Sequence, residues 1–350
     1  MTFWTEAAGV LAPAVPHWLS PCWYTLDPAS LLMTSHFSPD VPELPRASLE
    51  HEYLADDVNH LVDVARSARG LSTLHEATGG EPSRSPRWHA NMELGGDQEL
   101  IAALRTPDGV TWGAVGLYRQ PGAPLFSEDE QELVRRAAPA LAEGARRALL
   151  LGEARDAEGP EAPGLLVLDR RGEVVSSTPG VERWVDDLGG CWEAGRLPAA
   201  VLAVGVQALR PGGPATSRAL AASGTWLLLH GSRMAGAGAG CAAVIVQPAH
   251  PARIVPLLMD AYGLTPREQE VTTLVLQGAS TAELAERLVV SPYTVQEHLK
   301  SIFEKTGVRS RRDLVGKVFF GFYEPRVRDN EGRARDARPL RGGPLAAAAA

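Results

Sequence analysis

Four hydroxyl residues at positions 265, 280, 291 and 310 each stand just before a run of helix-forming residues, and their spacing leaves room only for short helices. Thr265 precedes Pro266, whose missing N–H is no loss at a first helical position, and Glu268 completes a capping box three residues after Thr265. Gly278 supplies a left-handed stop. Ser280 with Glu283 repeats the box, Ser291 stands before Pro292, and Ser310 is followed by Asp313, a shorter and weaker partner. Apolar residues recur at helical spacing: Val271, Leu274 and Val275 in the first run, Leu284 and Leu288 in the second, Val295, Leu299 and Ile302 in the third. The pattern predicts an all-α four-helix unit with these stripes as one core.

The third helix carries chemistry on the face its core does not use. With Val295, Leu299 and Ile302 inward, Gln296, Glu297, Lys300 and Ser301 project outward, with Thr294 and His298 near the helix start. A helix, a turn at 278–280, a second helix, a short link and a third helix is the helix-turn-helix order, in which the last helix enters the major groove of duplex DNA. Gln can bond adenine in two places, Lys can donate to guanine and Glu can accept from cytosine, so Gln296, Glu297 and Lys300 are the expected base readers. Ser291, Tyr293, Thr294, His298, Ser301, Lys305 and Arg309 are the expected phosphate or positioning contacts. The competing reading is a solvated helix surface, or a helical end that binds a protein partner in a signalling complex.

Several motifs narrow the choice. The LTPREQEV opening, the segment Gly278 to Ser280, the run LAERLVVS, the pair Thr294 and Val295 followed by His298, and Lys305 to Val308 before Arg309 and Arg312 together resemble the DNA-binding domain of the LuxR family of bacterial transcription regulators. Two positions depart from the family pattern: Gln296 stands where Lys is common and Thr306 where Leu is common. The resemblance implies a double-stranded promoter or operator as partner, RNA polymerase as a further candidate partner, and a homodimer paired through the fourth helix with Leu314, Val315 and Val318.

Charge agrees. Between Lys300 and Lys317 there are six basic residues, Lys300, Lys305, Arg309, Arg311, Arg312 and Lys317, against Glu304 and Asp313. The whole chain has 34 Lys plus Arg against 42 Asp plus Glu, which excludes a protein that coats nucleic acid through bulk positive charge. At 350 residues and 45% hydrophobic, without an 18-residue apolar run or a basic start leading into an apolar core, the chain reads as a cytoplasmic multidomain protein that crosses no membrane. Cys22, Cys191 and Cys241 are far apart and form no metal motif.

The upstream sequence reads as two α+β domains. Leu100 to Leu104 and Thr111 to Tyr118, joined at Pro107-Asp108-Gly109, predict a hairpin; Ser127 and Glu130 box a long helix with Leu133, Ala137, Leu141 and Ala145 on one side and a kink at Pro139. This resembles the closing half of a GAF domain, a small-molecule-sensing fold, placed at 1–151. Leu54 to Ala68 is expected as a helix and Thr78 to Gly96 as a loop. The resemblance makes Trp88, His89 and Met92 candidate pocket residues. Trp4, Trp18, Trp23 and Tyr24 are expected as core or dimer contacts.

A charged, Gly- and Pro-containing linker is expected at 152–163, then a strand, a turn at Asp169 to Gly172, a second strand and a helix at Val181 to Leu188, an opening that resembles a PAS domain at 164–250 with later strands at Trp226 to His230 and Ala242 to Gln247. A connector at 251–262, the helix-turn-helix domain at 263–323 and a disordered tail at 324–350 complete the expected order. Walker A, GxGxxG, HExxH, GxSxG and kinase signatures are absent in credible context, so no enzyme and no cofactor are expected, only an unidentified small-molecule effector.

Overall fold

A computed structural model describes residues 2–41, 46–53, 55–151, 163–210 and 215–318. The chain divides into two compact units, Met1–Leu149 with Glu158–Gln247, and Leu150–Ala157 with Pro248–Ala350. Most of the expected linker and all of the expected tail lie outside the described residues.

The first unit begins with α1 (Thr2–Leu11), β1 (Cys22–Leu26), β2 (Met33–Phe37), α2 (Arg46–Tyr53), α3 (Leu61–Arg66), β3 (Leu71–Thr73), α4 (Leu74–Ala77), α5 (Pro86–Glu93), β4 (Gln98–Arg105), β5 (Thr111–Arg119) and α6 (Glu128–Leu151). The five strands form an antiparallel sheet ordered β2-β1-β5-β4-β3. The predicted hairpin is β4 and β5, paired with Leu100 opposite Leu117. Both strands are buried on both faces, which is why they read as continuous apolar runs. On one face Trp23, Leu100, Leu104, Val115 and Leu117 pack with Leu11 of α1 and with Val134, Ala138 and Ala142 of α6. Trp4 stacks on Trp23 at 4.7 Å, while Trp18 is 42% exposed.

Helix α6 starts at the expected box, Ser127 N–H donating to Glu130 at 2.8 Å and Glu130 N–H to Ser127 Oγ at 3.3 Å, and continues through Pro139. Its buried stripe overlaps the expected one in part: Ala145 is buried and Leu141 packs against the core, but Val134, Ala138 and Ala142 carry the rest and Leu133 is 41% exposed. Small side chains at these positions let the helix lie close to the sheet, which hydrophobicity alone does not rank.

Two local expectations are corrected. The helix expected over 54–68 is confined to α3, because Asn59 takes a left-handed φ of 62° just before it. The loop expected over 78–96 contains α5, whose N-cap Ser85 accepts from Trp88 N–H and whose first residue is Pro86. Asp57 holds this start in place, accepting from Ser85 Oγ at 3.0 Å and from Arg87 N–H at 2.7 Å.

The same unit continues with β6 (Gly164–Leu168), β7 (Val174–Ser177), α7 (Val181–Asp187), α8 (Ala199–Leu209), β8 (Ala215–Leu220), β9 (Trp226–Arg233) and β10 (Ala242–Pro248). Its sheet is ordered β7-β6-β10-β9-β8, so the two sheets repeat one strand order. Helix α8 lies between the expected helix at Val181 to Leu188 and the expected later strands. Its sequence AAVLAVGVQAL is buried nearly all round. It sits tight on its sheet: a Cβ on Gly231 would meet the Val204 carbonyl at 2.6 Å, and one on Gly205 the Leu168 side chain at 2.7 Å.

The sequence reading separated the two halves, yet one core joins them. Met33, Leu49, Tyr53 and Leu61 of the first half belong to the same buried cluster as Val201, Val204, Leu227 and Val244 of the second. Across that seam Arg218 donates to Asp27 three times, from its backbone N–H at 2.7 Å, from Nε at 3.0 Å and from Nη2 at 2.5 Å. The Asp27 side chain is 3% exposed and that of Arg218 13%. Removing one member of such a pair strands the other charge, so Asp27→Ala is expected to cost about 3 kcal/mol. The paired change Asp27→Ala with Arg218→Met is expected to recover much of it. Calorimetric unfolding of both variants checks this; a single-variant loss no larger than that of an exposed pair would show that the seam does not depend on these charges.

Candidate nucleic-acid interface

The second unit contains α9 (Pro251–Ala261), α10 (Pro266–Leu276), α11 (Thr281–Leu288), α12 (Pro292–Thr306) and α13 (Arg311–Val318). All four hydroxyl caps hold. Thr265 and Ser280 close full capping boxes with Glu268 and Glu283, Ser291 Oγ accepts from Thr294 N–H at 3.0 Å, and Ser310 Oγ accepts from Asp313 N–H at 3.1 Å. Gly278 ends α10 with a φ of 87°. The segment expected as a connector is the helix α9, and its Val255 and Met259 join the core built by Val271, Val275, Leu284, Val295, Leu299 and Ile302. Gln269 of α10 donates to Asp260 at 2.8 Å, a further tie to α9.

One carboxylate fixes α12 against α10. Glu268, 4% exposed, accepts from its own cap through Thr265 N–H at 2.7 Å, from Ser301 Oγ at 2.6 Å and from Lys305 Nζ at 2.6 Å. Burial alone would raise this carboxyl, but the Lys305 and Ser301 hydrogen bonds, the cap N–H and the Lys305 charge hold it down at about 2. Ser301 and Lys305, expected to face DNA, are turned toward α10. The three expected base readers, Gln296, Glu297 and Lys300, are exposed, and Tyr293, an expected phosphate contact, is 74% exposed. These four recur at helical spacing with exposed Glu304, on the side of α12 opposite Val295, Leu299 and Ile302. Thr294 and His298 are half-buried on its flank, Ser291 and Arg309 exposed at its two ends.

The basic cluster is smaller than its count. Besides Lys305, Arg311 donates to the Ala279 carbonyl, and Lys317 donates to the Thr306 carbonyl at 2.8 Å with its ammonium 4.9 Å from the Tyr262 ring centroid. Lys300, Arg309 and Arg312 are exposed, with no hydrogen-bond or ion-pair partner among the described residues. Thr306, the departure from the family's Leu, is buried and returns its hydroxyl to the Ile302 carbonyl at 2.7 Å. The expected pairing surface on α13 also shrinks: Leu314 is 2% exposed and belongs to the core, Val318 packs against that core, and Val315 is 36% exposed.

The family described as "Bacterial regulatory proteins, luxR family" matches residues 263–318. These residues are a LuxR-family helix-turn-helix domain. Curated relatives match over the same end. A Mycobacterium tuberculosis protein named for HTH-type transcriptional regulation is 50% identical over 55 residues, which are 16% of this chain and 6% of that protein. The monoamine regulon transcriptional regulator of Klebsiella aerogenes is 41% identical over 56 residues, 16% of this chain and 25% of that protein. The chain therefore spans a quarter or less of these relatives' length. Among solved structures, VqmA of Vibrio cholerae, a LuxR-type receptor, is 18% identical over 45% of this chain and 82% of that one, with a TM-score of 0.22. A phage VqmA complex is 15% identical over 51% of this chain and 88% of that one, with a TM-score of 0.26. Superpositions that poor lend nothing to the arrangement of the parts.

In the first unit the candidate pocket residues are placed elsewhere than expected. Trp88 donates from its ring N–H to Asp97 at 3.0 Å, the His89 ring bonds the Ser83 carbonyl at 2.9 Å, and Met92 is half-buried. A cavity does exist beside the same helix, lined by its Arg87, Ala90, Asn91 and the following Leu94. The signal available in the sequence was the spacing of these four, once Ser85-Pro86 is read as a helix start like Ser291-Pro292.

Two outcomes test the reader's construction. The Glu268 carboxyl sits below its usual 4.5, so its contribution is complete above about pH 4.5 and is lost as the pH falls toward 2. Glu268→Gln is expected to cost about 2 kcal/mol near neutrality, with the difference from the parent closing through that acid window in unfolding measured against pH. Val289, 89% exposed, ends α11 at a left-handed φ of 53°. Val289→Asn, which suits that conformation, is expected to raise stability by about 1 kcal/mol. No rise in the thermal midpoint would mean the turn carries no strain.

Proposed function

We propose that this chain is a sequence-specific, dimeric DNA-binding transcription regulator working in the cytoplasm, in which the two-sheet unit senses a small molecule or partner and controls the helix-turn-helix. The observation that carries the reading is the outward stripe of Tyr293, Gln296, Glu297 and Lys300 on a helix that is capped at its start by Ser291 and pinned to α10 through Glu268. Gln296, Glu297 and Lys300 read base edges. Ser291, Tyr293, Thr294, His298 and Arg309 meet phosphates, while Ser301 and Lys305 hold the helix in position. The two sheet halves are sensor modules of the GAF and PAS kind. Their shared strand order supports this.

Apart from the base-reading Lys300, two outward cations, Arg309 and Arg312, give about −1.8 for the slope of log affinity against log salt per module, about −3.6 for a dimer. Anisotropy titrations of the whole chain against genomic fragments, its own promoter included, measure this. Specific fragments are expected to win over random DNA by about 10³ or more near physiological salt; failure of every fragment to do so ends the proposal. Lys300→Ala is expected to weaken operator binding by about 1–3 kcal/mol at an unchanged thermal midpoint. Gln296→Lys is expected to change the selected consensus, and an unchanged consensus would remove Gln296 from the base-reading set.

A further inference from the structure

The cavity beside α5 has an unusual wall for a protein core. Arg87, its side chain 10% exposed, donates from Nε to Glu99 at 2.7 Å and from Nη1 to Glu52 at 2.9 Å. Those carboxylates are 1% and 4% exposed. Glu52 also accepts from Leu61 N–H at 2.6 Å, and Glu99 accepts from Asn59 at 3.2 Å. The guanidinium has a third nitrogen, Nη2, for which the described residues offer no acceptor. Among the described residues the second oxygen of Glu99 meets only Asn91, at the long distance of 3.5 Å. The Tyr24 and Tyr118 hydroxyls lie 3.5 Å apart, with the Cys22 thiol beside Tyr24 as a further hydrogen-bond partner. His51 Nδ1 is buried without a partner. Leu19, Cys22, Met33, Leu61 and Leu94 complete the lining with apolar surface, and Leu94 is 46% exposed. Burial pushes the Cys22 thiol up to about 11, so it remains an uncharged part of that wall.

Size and charge select the occupant. The cavity encloses about 50 Å³, room for roughly three or four waters or one compact molecule of about six non-hydrogen atoms. An anion would meet Glu99 and Glu52, two buried acidic groups already sharing one guanidinium. A cation without an acceptor would leave Arg87 Nη2 unmet. A hydrocarbon would leave it and the second oxygen of Glu99 unmet. We propose that this cavity binds a small neutral molecule with a hydrogen-bond donor next to an acceptor, an amide- or lactam-type edge, its donor toward Glu99 and its acceptor toward Arg87 and the tyrosine pair. The site deepens the sensor role proposed above and rests on it for its regulatory meaning only.

Ring-matched probes test it on the whole chain. Saturation-transfer NMR with 2-pyrrolidone, cyclopentanone, pyrrolidinium and cyclobutanecarboxylate is expected to show 2-pyrrolidone binding about tenfold or more tighter than the other three, since each of these leaves a buried group unpaired. Tyr118→Phe is expected to weaken 2-pyrrolidone severalfold without altering the thermal midpoint. Ala90→Leu, which adds bulk at the lining, is expected to abolish binding. The proposal is overturned if 2-pyrrolidone does not bind, if cyclopentanone or the carboxylate binds as well, or if Ala90→Leu binds it like the parent. DNA anisotropy on the same preparations separates the two readings: probe binding without DNA binding removes the regulator and keeps the cavity, and the converse removes the cavity alone.

Discussion

The position of the proposed reading helix depends on the Glu268 carboxylate. It closes the cap of α10 and receives Ser301 and Lys305 from α12, so two helices whose apolar contact alone would allow sliding are fixed in register. An apolar side chain at 268 could fill the space but could not specify which residue of α12 stands opposite. Groove reading requires that specification, because a rotation of α12 by one residue would replace Gln296 and Lys300 at the outward stripe by its flanks.

The same contact explains why counting charge misjudged the surface. Six basic residues between 300 and 317 look like one electrostatic footprint in sequence. Folded, Lys305 neutralises Glu268, while Arg311 satisfies the Ala279 carbonyl in the turn between α10 and α11 and Lys317 the Thr306 carbonyl at the end of α12. Half of the apparent charge is therefore structural. Cations near helix C-termini are recruited by orphan carbonyls as readily as by phosphates, and only the three-dimensional partner tells the two apart.

Legibility followed the range of the interactions. The caps at Thr265, Ser280, Ser291 and Ser310 were readable because each bond spans three residues, and the β4–β5 hairpin because a tight turn joins its strands. Helix α8 was not readable, since burial on all sides removes the apolar period that marks a helix. The cavity was missed for a related reason. Its polar end assembles Glu52, Arg87 and Glu99 from α2, α5 and β4, and no spacing within one segment announces an ion network made of three. Trp88 and His89 attracted notice as large aromatic neighbours, yet the adjacent Arg87 faces the cavity, one residue and about 100° around the helix away.

The seam within the first unit gives the cavity a mechanical neighbour. Met33 lines the cavity from β2, and its N–H donates to the Tyr53 hydroxyl of α2 at 3.0 Å; both residues lie in the core cluster that contains α8. Glu52, on the cavity side of α2, is pushed up to about 7 by burial despite Arg87 and its hydrogen bonds, so its charge state is sensitive to whatever displaces water beside it. A ligand of the proposed kind would lie against Glu52 of α2 and Met33 of β2. Close packing at Gly231 and Gly205 seats α8 on the second sheet, so the core that holds Met33 and Tyr53 is continuous with that sheet through α8.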